Sequence, residues 1–255
     1  MATLNQITYI GHATLLVEID GVRLLTDPVL RDGVAHLKRR SMPVRKSIIQ
    51  NIDAILISHL HRDHLDIPSL RILGQKTNLI LPAGAADFLH NEGFSNIKEM
   101  SAGDTTKIGE VSVRATHAEH HGKHPPFGPT AGCLGFLIQG ARTVYFPGDT
   151  DLFPGMADLA DGLDVALLPV WGWGFNLGPG HMNPQRAAEA LTLLNPRIAI
   201  PIHWGTFYPR WFGWFRPSLM VEPPQLFLKE AAIRMPQVKI HILNPGSSLS
   251  LSKSN

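Results

Sequence analysis

A cluster of histidines directly after a short apolar run constrains this chain more than any other feature of its sequence. Residues 58–64 read Ser-His-Leu-His-Arg-Asp-His, and the apolar run before them has the pattern of a buried strand. In an extended chain His59 and His61 point the same way, because side chains alternate with a period of two. Asp63 and His64 come after the strand end and can turn toward a second ion. Imidazole and carboxylate ligands suit zinc and tolerate manganese, iron or cobalt, so the cluster predicts a metal site at a strand end.

The length and composition predict a globular protein with a substantial core. Of the 255 residues, 44% are hydrophobic and 17% are charged, and we expect residues 1–255 to form one domain. The sequence has no apolar run long enough to span a membrane, although peripheral membrane contact stays open. The single cysteine excludes an intrachain disulfide, and the first residues lack the basic and apolar regions of a signal peptide. We therefore expect a cytoplasmic protein.

Short apolar, β-branched runs recur along the chain and predict many strands. The predicted strands are 7–10, 14–19, 22–26, 54–57, 78–81, 111–116, 134–139, 143–146, 164–168, 198–202 and 238–243. One helix is predicted at 185–194, opened by the capping residue Asn183 and by Pro184. Further helical patterns lie at 67–73, at 83–90 and from 223 to 233. Strands that alternate with fewer helices indicate an α/β fold.

The two halves of the chain repeat one arrangement of strands and polar residues. In the first half, one predicted strand runs into Asp27 and a later strand runs into His59. In the second half, one strand runs into Asp149 and a later strand runs into His203. Open α/β sheets build their sites at the carboxyl ends of strands. Two halves packed sheet to sheet, with helices outside, would bring these residues together along one edge.

The order and spacing of the polar motifs resemble the metallo-β-lactamase superfamily. The motifs that carry the resemblance are Gly11-His12-Ala13-Thr14, Thr26-Asp27-Pro28, His59-x-His61-x-Asp63-His64, His120, Gly148-Asp149-Thr150, His181-x-x-Pro184 and Ile202-His203-Trp204-Gly205-Thr206. Within the superfamily, the chain looks most like the branch that contains N-acyl-phosphatidylethanolamine-hydrolysing phospholipase D and ascorbate-6-phosphate lactonase. The resemblance implies a four-layer αβ/βα sandwich, with two facing mixed β-sheets flanked by helices.

The resemblance also implies two metal sites joined by one carboxylate. The first ion would be held by His59, His61 and His120, the second by Asp63, His64 and His203, and Asp149 would bridge them. The implied cofactors are therefore two divalent ions, with zinc expected and manganese or iron as alternatives.

Two assignments within this set depend on the family pattern. His117, His121 and His124 compete with His120, which is selected because the family has Pro-Ala-x-His where this chain has His-Ala-Glu-His at 117–120. Asp27 has the place of the family's first acid. We expect it behind the ligands, where it would orient one of the histidines.

Departures from other branches narrow the expected chemistry. The commonest zinc β-lactamases use a cysteine in the second site, whereas Cys133 lies in a predicted apolar strand, so antibiotic hydrolysis is not expected. Residues 150–202 leave no room for the inserted domain of the RNA- and DNA-cleaving relatives. Because the net charge is only +2 as well, nucleic acid is not an expected partner.

The charge of the implied centre favours an anionic substrate. Two divalent ions, the catalytic carboxylates Asp63 and Asp149 and a bridging hydroxide leave about +1 by formal counting, which a phosphodiester would neutralise. His181 is the candidate proton donor to the leaving group; the alternative is that it caps its own loop. The expected reaction is phosphodiester hydrolysis on a small-molecule or lipid substrate. A lactonase or other acyl hydrolase and a non-catalytic metal- or lipid-binding protein are the alternatives.

Two aromatic segments are candidates for the substrate pocket. Trp171 and Trp173 follow a predicted strand, and Arg210 and Trp211 lie shortly after His203. The aromatic rings would line an apolar channel, and the arginine would meet a phosphate. For residues 207–215 the alternatives are a cap over the core, a membrane contact or a subunit contact in a homo-oligomer.

A basic stretch between the first acid and the histidine motif is the remaining candidate. It contains Lys38, Arg39, Arg40, Arg45 and Lys46. Such a stretch either attracts an anionic lipid or phosphate, or is a solvated loop.

Overall fold

The computed structural model describes residues 4–121, 129–172, 178–210 and 217–251. The strands found there are β1 Gln6–Gly11, β2 Thr14–Ile19, β3 Val22–Thr26, β4 Gly33–Val34, β5 Leu37–Arg39, β6 Ala54–Leu56, β7 Leu79–Pro82, β8 Ile97–Met100, β9 Thr105–Ile108, β10 Val111–His117, β11 Leu134–Gln139, β12 Thr143–Phe146, β13 Val165–Pro169, β14 Ile198–Ile202, β15 Phe207–Pro209, β16 Lys239–Ile240 and β17 Ser247–Ser250. The α-helices are α1 Ile67–Leu73, α2 Ala86–Asn91, α3 Pro184–Leu194 and α4 Glu222–Arg234. Short 3₁₀ helices cover Lys46–Ile49, Met156–Leu159 and Pro217–Met220.

Two mixed sheets form the framework of the protein. Their strand orders are β17-β1-β2-β3-β6-β7-β8 and β16-β14-β13-β12-β11-β10-β9. In the first sheet β3, β6, β7 and β8 run parallel, and in the second β12, β13, β14 and β16 do so. The carboxyl ends of the parallel strands therefore open on one edge of each sheet, where α/β proteins place their sites.

A shared apolar core fills the space between the two sheets. Tyr9 and Leu15 of one sheet and Phe136 and Val144 of the other belong to the same buried cluster. A second cluster joins the opposite face of the first sheet to α1 and α2. Buried residues of α3 and α4 join the main core from the side of β13 and β14. The predicted four-layer α/β arrangement is confirmed.

The first residues of α3 and α1 define where the loops with the polar motifs end. Asn183 accepts a hydrogen bond from the Arg186 amide at 2.9 Å, and Pro184 is the first residue of α3, as the sequence predicts. α1 begins at Ile67 behind the capping side chain of Asp66. The histidine motif therefore lies in a short loop between β6 and α1. In the described parts of the chain, none of the helices has the length and apolarity needed to cross a membrane.

Sequence patterns located the central strands and missed those that depend on pairing. β2, β3, β11, β12 and β14 have the predicted bounds, but the predicted strand 238–243 shrinks to β16. The missed strands include β8 and β17, whose alternation is broken by polar residues that face solvent. Cys133 lies one residue before β11 and is only partly buried, so its predicted place inside a strand was wrong.

A small third sheet, β15-β5-β4, packs against the main body. Phe207 of β15 and Leu37 of β5 are buried together with Val29 and Val34. The candidate aromatic segment 207–215 thus begins as a strand, while residues 211–216 lie outside the described residues.

Candidate metal centre

Polar side chains follow the ends of β3, β6, β12 and β14 and meet at one edge of the two sheets. The residues are Asp27 after β3, the histidine motif after β6, Asp149 after β12 and His203 after β14. The groups whose ligand atoms lie within 4.8 Å of one another are His59–His61–His120, His12–Asp63–His64–His203, Asp27–His59–His64 and His120–Asp149–His181. The structure thus brings the seven residues of the implied ligand set into one cluster.

Three imidazole rings form the first half of the cluster. The Nε2 atom of His120 lies 3.2 Å from Nδ1 of His61, and the rings of His59, His61 and His120 have centroids 4.6–4.9 Å apart. The buried Nε2 atom of His59 has no hydrogen-bond partner among the described residues. Leaving a buried nitrogen unpaired is costly. Three converging imidazole nitrogens, one of them unpaired, fit a zinc-like cation.

Two imidazoles and two carboxylates form the second half. The Nε2 atoms of His64 and His203 are 3.1 Å apart, and each lies 3.2 Å from an oxygen of Asp149. Asp63 Oδ2 lies 3.9 Å and 4.0 Å from the same two nitrogens. Asp149 is the carboxylate that touches both imidazoles, and it also belongs to the group with His120. It therefore has the position of a bridge between the two halves.

Hydrogen bonds behind the cluster turn the histidine lone pairs toward its centre. In three histidines the Nδ1 atom faces an oxygen that only accepts hydrogen bonds, so Nδ1 carries a proton and Nε2 is the nitrogen left to bind a metal. The pairs are His64 with Asp27 Oδ2 at 2.7 Å, His203 with the Trp171 carbonyl at 2.7 Å and His120 with the Gly180 carbonyl at 2.8 Å.

Ser58 extends the same support to His59. Its hydroxyl donates to Asp27 Oδ2 at 2.5 Å and lies 3.0 Å from Nδ1 of His59. Because the single hydroxyl proton is used on Asp27, His59 Nδ1 must donate, and its Nε2 lone pair points into the cluster. Asp27 therefore orients one histidine of each half. The sequence predicted this position for Asp27 but did not single out Ser58.

His12 belongs to the cluster, although sequence reasoning did not assign it a role. Its ring is buried, its Nε2 lies 3.0 Å from Asp63 Oδ2, and its centroid lies 3.7 Å from that of His203. The His12 carbonyl also accepts a hydrogen bond from the His203 amide at 2.8 Å. The signal was present in Gly11-His12-Ala13-Thr14, one of the motifs that carried the family resemblance.

Three residues of the cluster have left-handed backbone. The φ angles are 59° at His12, 34° at Asp27 and 63° at His203, a region that side-chain-bearing residues rarely adopt. Gly148 is also left-handed, and a Cβ there would lie 2.4 Å from the Cβ of Ser58. Such conformations persist only where surrounding contacts hold them. The cluster is therefore rigidly placed by the fold.

Burial keeps most of the cluster histidines neutral. It lowers the pKa of His203 to about 3 and that of His120 to about 4, although the charge of Asp149 opposes both shifts. Burial, reinforced by the charge of His64, holds the pKa of His59 well below its usual value. A neutral imidazole is the form that binds a metal.

The carboxylates of the cluster stay ionised and call for positive charge. Burial alone would raise the pKa of Asp149, but its interactions with His203 and His64 hold it well below the usual value. Asp63 has a depressed pKa as well, because His64 and His12 outweigh its burial. His64 is the exception among the histidines, since Asp149 and Asp63 raise its pKa well above the usual value despite burial. A bound cation would supply the positive charge that a proton otherwise supplies.

His181 lies on the open side of the cluster. Its Nε2 atom is 3.5 Å from Asp149 Oδ2, its ring centroid is 4.6 Å from that of His120, and its side chain is 23% exposed. Burial would lower the pKa of His181, but the hydrogen bond to Asp149 and its charge raise it above the usual value. The structure brings His181 to the site, and its role as proton donor stays a prediction.

The other candidates are distributed differently. His117 and His121 are exposed, and His124 lies outside the described residues. Trp171 is buried beside the cluster, whereas Arg210 is exposed at the end of β15. Trp173 and Trp211 lie outside the described residues. Their assignment to a substrate pocket, like that of Trp171 and Arg210, stays a prediction.

Comparison with known proteins identifies the family. Residues 22–204 match the family described as the beta-lactamase superfamily domain. A protein of Caldivirga maquilingensis described as a metal-dependent hydrolase is 31% identical over 256 residues, covering 97% of this chain and 99% of that protein. N-acyl-phosphatidylethanolamine-hydrolyzing phospholipase D 1 of Caenorhabditis elegans is 28% identical over 226 residues, covering 78% of this chain and 64% of that protein.

A solved structure shares the fold over the whole chain. A metallo hydrolase of Ignicoccus hospitalis superposes with a TM-score of 0.75 at 23% identity, covering 99% of this chain and 100% of that one. The chain therefore belongs to the beta-lactamase superfamily, in the family of metal-dependent hydrolases that includes the Caldivirga maquilingensis protein.

Proposed function

We propose that this protein is a binuclear metal-dependent hydrolase that cleaves phosphodiester bonds. The observation that carries the proposal is the convergence of five histidines and two carboxylates, with lone pairs held toward one centre by hydrogen bonds from behind. His59, His61 and His120 would hold one ion, and Asp63, His64 and His203 would hold the other. Asp149 would serve both.

The bound ions and the carboxylates of the chain would have different roles in the reaction. Two divalent ions would supply hydroxide at neutral pH by lowering the pKa of water to roughly 7, and would polarise the bond under attack. The ionised Asp63 and Asp149 set the remaining charge of the centre, which a singly charged phosphodiester would balance. A neutral ester or lactone would bring no such balance in its ground state.

His181 is the residue of this chain best placed to assist the leaving group. It sits on the open side of the cluster, within 3.5 Å of Asp149, which can hold its protonated form. A protonated imidazole there can give its Nε2 proton to the leaving alkoxide, as a general acid does. Trp171, whose carbonyl accepts a hydrogen bond from His203 Nδ1, is the aromatic residue that we assign to a hydrophobic part of the substrate.

The expected substrate is an amphipathic phosphodiester. The similarity to the Caenorhabditis elegans phospholipase supports this choice of substrate class. A lactonase or another acyl hydrolase using the same centre is the competing function. The phosphodiesterase and the acyl hydrolase differ in the charge of the ground-state substrate, so the rates measured on the two substrate classes distinguish them.

A substrate panel tests this proposal. We expect kcat/KM for phosphodiesters to exceed that for lactones by at least about tenfold, and to rise by up to about fourfold for each acyl methylene that becomes buried. Hydrolysis of lactones together with no turnover of any phosphodiester would instead establish the acyl-hydrolase function. Protein carrying Asp149→Ala supplies the background rate for both substrate classes.

A further inference from the structure

A basic cavity lies beside the small sheet. It has a volume of about 640 Å³ and is lined by Arg31, Asp32, Gly33, Lys38, Arg40 and Arg210. Four of the six lining residues are cationic, and they come from two chain segments far apart in sequence. None of them belongs to the metal-ligand cluster.

Strand alternation divides the basic stretch into structural and exposed residues. Arg39 is 5% exposed; its guanidinium donates to the carbonyls of Arg31 and Val29 and lies 4.8 Å from the centroid of the Phe207 ring. Lys38 and Arg40, its neighbours in sequence, are exposed and line the cavity. Arg39 therefore stabilises the small sheet, whereas the exposed Lys38 and Arg40 are free to contact a ligand in the cavity.

The charges in the cavity are only partly compensated. Arg31 is engaged by Asp66, with Nε–Oδ2 and Nη2–Oδ1 distances of 2.9 Å and 2.5 Å. Within the described ranges no ion pair engages Lys38, Arg40 or Arg210, and Asp32 is the one acidic residue of the lining. Because the whole chain carries only +2, this local excess of positive charge is a feature of the cavity.

We propose that this cavity is a second anion site, which binds a phosphate group. Guanidinium groups present forked N–H donors that match phosphate oxygens, and lysine adds a compact positive charge. The phosphate would belong either to a soluble phosphate ester or to a lipid headgroup. The site goes beyond the hydrolytic function, because none of its lining residues belongs to the metal-ligand cluster. Arg210, a substrate-pocket candidate from the sequence, is assigned here to this second site instead. The site binds without hydrolysing.

The test compares three forms of the purified, metal-loaded protein at one low ionic strength, since salt screens exposed charges. They are the wild type, the double variant Lys38→Glu/Arg40→Glu, and a control, Lys76→Glu/Lys107→Glu, which makes the same charge change at exposed lysines elsewhere. The probes are inorganic phosphate, glycerol 3-phosphate, and phosphatidylcholine vesicles with and without phosphatidylglycerol. Amide resonances of Asp32 and Gly33, which line the cavity and are unchanged in all three proteins, locate soluble ligands, and flotation measures vesicle binding. The melting temperatures of the two variants are compared with that of the wild type to exclude misfolding.

We expect the dissociation constant at the cavity to rise at least tenfold in Lys38→Glu/Arg40→Glu and to stay unchanged in the control. If Lys38→Glu/Arg40→Glu no longer binds the soluble ligands, the natural ligand is a phosphate ester. If it loses only the binding of phosphatidylglycerol vesicles, the natural ligand is a lipid headgroup. Equal binding of every probe by all three proteins would overturn the proposal, as would resonance shifts confined to the metal-ligand loops. No turnover is measured, so a failure of phosphodiester hydrolysis would leave this result intact.

Discussion

Replacing Asp149 with alanine is expected to lower kcat by at least about a thousandfold, which corresponds to ~4 kcal/mol of transition-state stabilisation. Asp149 lies 3.2 Å from both His64 and His203, and its Oδ2 atom also lies 3.5 Å from His181 Nε2. Its removal takes away the carboxylate shared by the two halves of the cluster. The protein should also lose at least one of its metal ions, as measured by elemental analysis of the folded variant.

Asp151 provides the matched control for this substitution. It lies two residues farther along the same loop and pairs with Arg186 rather than with the cluster. Asp151→Asn should therefore retain the metal content and most of the activity. An Asp149→Ala protein with two ions and near wild-type kcat would show that Asp149 is not part of the reaction centre.

Replacing Asp27 with asparagine is expected to weaken the binding of both metal ions by about 10- to 100-fold. The buried carboxylate accepts hydrogen bonds from the Ser58 amide at 2.7 Å, from the Ser58 hydroxyl and from His64 Nδ1. An amide keeps the volume of the side chain but turns a donor toward donors, so both His64 and Ser58 lose their fixed orientation. Titration against a competing chelator measures the two affinities.

Ser58→Ala separates the two branches of this network. It removes the contact to His59 but keeps the hydrogen bond that His64 donates to Asp27, so only the ion of the first half should bind more weakly. Unchanged affinities in Asp27→Asn, or equal losses at both ions in Ser58→Ala, would contradict the orienting role assigned to Asp27.

The parts of the site that the sequence could predict are those set by local pattern. Apolar runs locate central strands because they are buried on both faces, and the polar residues that follow them then fall at strand ends. For this reason Asp27, Asp149 and His203 could be placed at one edge before any contact was known. The helix start at Asn183 was predictable for a similar reason, since capping is a local interaction.

The parts that the sequence could not predict depend on distant contacts. His12 acts on Asp63 and His203, which lie far along the chain, so its motif marked it as part of the family pattern but not as a neighbour of the ligands. The role of Ser58 follows from a proton count that requires the positions of its two partners. Arg39 is buried while its neighbours are exposed because side chains alternate along β5, and this strand is too short and too basic to predict from the sequence.

The binuclear metal centre is tested by elemental analysis of protein purified without chelators. We expect two divalent ions per chain, with zinc expected, and anomalous scattering should place one beside His59, His61 and His120 and the other beside Asp63, His64 and His203. A metal-free protein under these conditions, with His59, His61 and His120 pointing apart in its crystal structure, would show that the cluster is not a metal centre.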